Sequence, residues 1–377
     1  MKRKDFLIVL IVSLLIVSLL LYHHLLAKEP SENKPLDVFV GVDVAYDDLP
    51  EIKRLVDEIC SYTNLFVIGS TGITYNATKL NETCQYIYDK GLSFIVYTEW
   101  PPSFQWLEDA KNRWGDLFLG FYAFDEAGGY QLDLGEHRLV LEADNYTDAG
   151  SQFVSSMNMI LNWVTRYYNN SLNFPLFTSD YALYWFDYKA GYDVLLAQFG
   201  WNYSRQLNVA QCRGAATVQN KDWGAIITWT YNNPPYIESG EELYNDMILA
   251  YKNGAKYILV FDSNKNYTEG ILEEEHLEAL RRFWKYIKDN PRKSIALNDR
   301  VAYVLPKDYA YGFRGPNDKI WGLWEADAFS YELCMSLSSL MEQHGTNLDI
   351  IFDDGINPNN ANVYNRFVFW NGTVYDR

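Results

Sequence analysis

Histidine is scarce in this chain. There are five in 377 residues, and two of them, His23 and His24, adjoin a hydrophobic run, so little is left to build a zinc site and no metal is expected. Basic residues are short as well: 32 Lys and Arg stand against 49 Asp and Glu, a net charge of −17. Phosphate backbones are bound by basic faces, so nucleic acid is not an expected partner. The glycine pattern G-x-G-x-x-G is absent, which removes the fingerprint of a dinucleotide fold, and no cofactor is expected. Cysteines number four. Cys60 and Cys84 fall on successive predicted helices and are candidates for a bridge in an oxidising compartment, against the simpler reading of buried thiols. Aromatic residues, in contrast, are plentiful: 12 Trp, 30 Tyr and 20 Phe, or 16% of the chain, within a hydrophobic share of 48% that excludes a disordered protein.

The N-terminus reads as an uncleaved signal anchor over residues 1–27. Lys2, Arg3 and Lys4 precede an apolar run from Phe6 to Leu21 that continues to Ala27. A bilayer is spanned by about 20 such residues, whereas the core of a cleaved signal has about 7 to 15. The basic flank is expected to stay in the cytoplasm, with everything after Lys28 outside it. Seven N-x-S/T sequons, at Asn76, Asn81, Asn145, Asn169, Asn202, Asn266 and Asn371, agree with a glycosylated exterior.

After a polar linker, residues 28–35, one pattern recurs: a short, nearly continuous apolar run, a polar or aromatic end, then an amphipathic stretch. The runs are Val38 to Val44, Leu65 to Ile68, Ser93 to Tyr97, Leu117 to Phe124, Pro175 to Ser179, Val194 to Phe199, Ala225 to Trp229 and Tyr257 to Phe261. Strands buried on both faces read this way. Eight alternations over residues 36–290 predict an α/β fold, a (β/α)8 TIM barrel. A charged, Pro-containing boundary follows. Residues 298–377 then show three further strands and a helix, Ala328 to His344, which predict a small C-terminal α/β domain.

Barrel chemistry gathers where the strands end. The residues there are Asp43 and Tyr46 after strand one, Glu99 and Trp100 after three, Asp125 and Glu126 after four, and Asp180 and Tyr181 after five. Gln198 and Trp201 follow six, Trp229 and Tyr231 close seven, and Asp262 follows eight. Carboxyl pairs beside aromatic platforms suit carbohydrate chemistry: one donates a proton to the leaving oxygen, the other attacks or activates water, and rings stack on sugar C–H faces. Glu126 is the first candidate for general acid, since burial and the adjacent Asp125 both raise its pKa. The competing outcome sends these two neighbours to opposite sides, one of them capping the next helix. Asp125, Asp180 and Glu99 are candidates for the second carboxylate, and Asp43 and Asp262 are weaker ones. Arg213 and Trp223 are candidates for the same mouth. Glu273 to His276 reads as a solvated face, and Asp353-Asp354 as a turn.

The eightfold pattern and the strand-four ending Phe124-Asp125-Glu126 resemble the (β/α)8 glycoside hydrolase superfamily. The segments Arg300-Val-Ala-Tyr-Val-Leu-Pro306 and Leu348-Asp-Ile-Ile-Phe-Asp-Asp354 resemble the amidotransferase-like domain that follows the barrel in some β-galactosidases. The resemblance implies a carbohydrate ligand, Glu126 as acid/base, and a Glu nucleophile after strand seven. There this sequence departs: it runs Thr228-Trp-Thr-Tyr-Asn-Asn-Pro-Pro-Tyr236, and Glu238 is the first acid. The expectation is a membrane-anchored, extracytoplasmic glycoside hydrolase-like protein. A non-catalytic glycan-binding or cell-envelope protein is the alternative, and a metal-dependent hydrolase is disfavoured by the shortage of histidine.

Overall fold

The structure, a computed structural model, describes residues 37–99, 104–166, 174–292, 300–354 and 363–376. The expected anchor, the linker and Trp100 lie outside the described residues. Among the described residues no helix is long and apolar enough to cross a membrane.

Eight parallel strands close a barrel in sequence order. They are β1 (Phe39–Val44), β2 (Leu65–Ile68), β3 (Ser93–Thr98), β4 (Phe118–Ala123), β5 (Leu176–Asp180), β6 (Val194–Phe199), β7 (Asp222–Ile227) and β8 (Tyr257–Asp262). Closure is made by β1 on β8, in register from Phe39 opposite Tyr257 to Val44 opposite Asp262. The strand runs anticipated from sequence hold to within a residue or two, except β7, which starts at Asp222 because Val194 pairs with it. Trp223 therefore sits at the start of β7, away from the mouth.

Helices α1 (Leu49–Ile59), α2 (Thr71–Thr74), α3 (Ala77–Asp89), α4 (Phe104–Trp114), α5 (Ala127–Asp133), α6 (Tyr146–Arg166), α7 (Tyr184–Ala190), α8 (Arg205–Gln219), α9 (Gly240–Lys252) and α10 (Glu274–Asp289) connect the strands. Their starts are locally encoded. Asp48 accepts from Glu51 N at 3.0 Å ahead of Pro50, and Ser239 and Glu242 form a capping box. Residues at alternate strand positions point inward, so Leu65 and Val67, Ile95, Leu196, Ile226 and Leu259 fill the interior as a packed core. Each such side chain contributes about 1.5–3 kcal/mol on burial. Gly120, at φ 144°, stands where β3 and β4 shift register and where any Cβ would overlap the Pro175 carbonyl.

The remaining elements are β9 (Val301–Leu305), α11 (Ala328–His344), β10 (Leu348–Phe352), β11 (Arg366–Phe369) and β12 (Val374–Asp376). They build a four-stranded sheet in the order β10-β9-β11-β12, antiparallel only at the β12 edge, a strand the sequence pattern did not reveal. Residues 38–377 form one compact unit. Arg213 of α8 is spent on this junction: fully buried, it donates from Nε to Asp349 at 2.7 Å, from Nη1 to Asn253, and from Nη2 to the carbonyls of Thr346 and Leu348. This corrects its assignment to the barrel mouth; a guanidinium taken out of water needs all its donors paired.

Cys60 and Cys84 are both free thiols, in line with the simpler reading, Cys84 buried and Cys60 partly exposed. One further expectation is corrected. His276 is buried rather than solvated, accepting from Glu273 N at 2.9 Å and lying 3.0 Å from the Glu238 carbonyl. The turn expected at Asp353-Asp354 runs into residues outside those described; Asp354 itself pairs with Lys189 at 2.5 Å.

Candidate active site

A cavity of about 550 Å³ opens at the C-terminal ends of the strands. It is within the size of small-molecule sites. Of the residues named from sequence, Asp43, Glu99, Asp125, Glu126, Gln198, Trp201 and Trp229 line it.

Asp125 and Glu126 do not diverge. The chain after β4 takes left-handed conformations at Phe124 (φ 52°) and Glu126 (φ 58°), and this zigzag turns both carboxyls to the cavity before α5 begins. Such backbone costs of order 1–3 kcal/mol per residue and persists only where the surroundings hold it. Asp125 Oδ1 accepts from Tyr122 Oη and from Ser179 Oγ, both at 2.7 Å. Burial raises its pKa, and these two donors oppose the rise by stabilising the anion. Glu126 Oε1 accepts from Gln198 Nε2 at 2.7 Å. Burial first, then the neighbouring Asp125 charge, push its pKa up to about 8, against the pull of the Gln198 bond. Glu126 therefore holds its proton at neutral pH, while the two donors on Asp125 favour its anion against the burial that raises it.

Asp43, 3% exposed, ends β1 on the cavity floor with Oδ1 unpartnered; burial, then the Asp125 charge, raise its pKa well above the usual range. Gly69 leaves room for that carboxyl, since a Cβ there would overlap Oδ1. Glu99 stands exposed at the rim, accepting from Tyr97 Oη at 2.9 Å.

The other sequence candidates are placed elsewhere. Asp180 is fully buried and accepts four backbone N–H groups, from Gly128, Gly129, Tyr181 and Ala182, at 2.6–3.0 Å. The four donors favour the anion against burial, which still pushes the Asp180 pKa up to about 7; the carboxyl holds the start of α5, and beside it burial, then the Asp180 charge, drive the buried Asp187 well above the usual carboxyl range. Asp262 Oδ1 accepts from Ile271 N and Leu272 N and its Oδ2 from Tyr46, so both residues brace the loop after β8 and border a separate outer groove. Tyr181 stacks on Tyr203 (centroids 5.5 Å apart) and donates to Asp133, while Tyr231 is 46% exposed; neither lines the cavity. Glu238, the first acid after strand seven, is turned into an ion pair with Arg205 at 3.0 Å, away from the cavity.

Sequence reading missed Tyr97, Tyr122, Tyr130, Ser179 and Tyr267, all of which line the cavity. Tyr97, Tyr122 and Ser179 sit inside apolar runs and look like core; inward parity within the strands was the available signal. Tyr267, left-handed at φ 57°, reaches the cavity from the loop after β8, 6.0 Å from Trp229 between ring centres.

The chain matches no protein-family model and no curated protein sequence. Among solved structures it is similar to a β-galactosidase from the psychrophilic Marinomonas ef1, with a TM-score of 0.55 and 12% identity, over 88% of this chain and 72% of that one. It is also similar to α-L-fucosidase isoenzyme 2 from Paenibacillus thiaminolyticus, with a TM-score of 0.48 and 11% identity, over 86% of this chain and 65% of that one. The first likeness is one of fold: a (β/α)8 barrel carrying an additional small sheet.

Proposed function

We propose that the barrel hydrolyses O-glycosyl bonds, with Glu126 as general acid/base. The observation that carries this reading is the carboxyl pair in an aromatic-lined cavity: Glu126 with its pKa pushed up to about 8, and Asp125 accepting hydrogen bonds from Tyr122 and Ser179 that favour its anion. In the first step the Glu126 proton passes to the glycosidic oxygen as the bond from the anomeric carbon to that oxygen breaks. Asp125 stabilises the positive charge that develops on the sugar, and a water then adds to the anomeric carbon while its proton returns to Glu126. Trp201, Trp229 and Tyr267 supply ring faces for the sugar. Release of reducing sugar from a panel of aryl glycosides and oligosaccharides tests this. Glu126→Gln is expected to lower kcat by about 10²–10⁴-fold on whichever substrate the native protein cleaves; an unchanged rate defeats the assignment.

The anchor is part of the same proposal. Lys2 to Lys4 followed by the apolar run to Ala27 supports a single-pass membrane protein with the barrel outside the cytoplasm, and the seven sequons support glycosylation there. Protease accessibility of the barrel on intact cells tests it.

One observation favours a second reading, a non-catalytic glycan-binding or cell-envelope protein. Among the described residues, the end of β7 brings only Thr228 and Trp229 to the cavity and no carboxylate. Glycan binding that survives Glu126→Gln, with no sugar released by the native protein, would decide for it.

A further inference from the structure

The cavity rim holds a cation with no anion. Lys265, in the loop after β8, sets its Nζ 5.2 Å from the Trp201 ring centre, 5.7 Å from Tyr236 and 5.9 Å from Trp229, so loops from β6, β7 and β8 converge on one ammonium. Cation–π attraction to three rings holds it there. Its one hydrogen bond among the described residues is to Asn232 Oδ1 at 2.8 Å, and no carboxylate of those residues comes within 4 Å. An ammonium has three donors, so two remain for a ligand. What sets Lys265 apart is its place: it stands over two tryptophans that line the cavity.

We propose that Lys265, with Trp201 and Trp229, forms a subsite for an acidic sugar, its ammonium pairing with a carboxylate or sulfate carried by a glycan whose rings lie along the aromatic rim. This rests on the carbohydrate reading above and adds the substrate class. Burial pushes the carboxyl pKa values of both Asp43 and Glu126 up, which favours their neutral forms and lowers the negative charge that such a ligand meets inside the cavity. An ammonium held between rings has lost part of its hydration, which strengthens a charge-assisted bond to an anion.

The test is a glycan array of matched neutral, uronate-bearing and sulfate-bearing oligosaccharides, probed with full-length Glu126→Gln protein so that nothing is cleaved, and with the same protein carrying Lys265→Met or Lys265→Arg. Acidic glycans are expected to bind more tightly than their neutral counterparts. The acidic-to-neutral ratio should fall by about tenfold in Lys265→Met, the size of one charge-assisted bond, and be largely retained in Lys265→Arg. Preference for uronate over sulfate, or the reverse, identifies the anion. Equal loss on acidic and neutral glycans, with or without a lowered melting temperature, means that Lys265 only pins the loops and overturns the proposal. The absence of any acidic preference in the Glu126→Gln protein also overturns it, while leaving the carbohydrate reading intact. Binding to no glycan at all defeats both.

Discussion

Gln198 Nε2 lies 2.7 Å from Glu126 Oε1, and the same amide nitrogen lies 2.8 Å from Ser179 Oγ, which donates onward to Asp125. One side chain of β6 thus ties together the two consecutive carboxyls of β4. Because the amide bonds the ionised form of Glu126, it holds down a pKa that burial drives up.

Replacing Gln198 by Leu removes that restraint. The alkaline limb of the kcat/KM profile, which reports loss of the Glu126 proton, is expected to move to higher pH, and activity to fall by about tenfold as Ser179 loses its orienting donor. A limb that stays in place in Gln198→Leu would show that the amide does not set the Glu126 proton affinity.

The raised pKa of Glu126 has a stability consequence whose sign is fixed by linkage. The folded protein keeps the proton up to about pH 8, while the unfolded chain releases it near the ordinary 4.5. The stabilisation is complete below about pH 4.5 and is lost as pH rises to about 8. Glu126→Gln has no such proton to release, so it should gain stability relative to the native protein across this window, on the order of 4 kcal/mol by pH 8. Urea unfolding of both proteins at pH 5 and pH 8 measures this; a difference that does not grow with pH contradicts it.

Gly69→Ala tests the floor of the cavity. The added methyl collides with Asp43 Oδ1, which has no hydrogen-bond partner to give up and must swing away. The expected result is a loss of about 1–3 kcal/mol in stability by overpacking, together with weaker ligand binding; unchanged binding would remove Asp43 from the site.

At the junction with the small sheet, Arg213→Leu leaves Asp349 buried beside only Arg300 at 3.3 Å and Tyr364 at 2.9 Å. A destabilisation of about 3–5 kcal/mol is expected in chemical denaturation. A change below 1 kcal/mol would mean that the pair is not a principal tie between barrel and sheet.

The amino-acid sequence by itself determined the barrel, its strand order and the place of Asp125 and Glu126 at the β4 ending. Eight apolar runs of strand length, separated by amphipathic helices with their own caps, are local patterns, and a parallel barrel is their compact solution. Glu126 was legible because its position at a strand end is also local. Tertiary structure decided which side chains meet. Asp180 ends β5 much as Asp125 and Glu126 follow β4, yet backbone N–H groups of Gly128 and Gly129, some fifty residues away, take its carboxylate for a helix start. The carboxylate that claims Arg213 lies 136 residues further along the chain. Tyr122 looked like core and became a hydrogen-bond donor to Asp125, because closure of the barrel fixed which strand face points inward. Partners for buried polar groups are chosen by three-dimensional proximity and by the cost of leaving any of them unpaired, and neither is written in local periodicity.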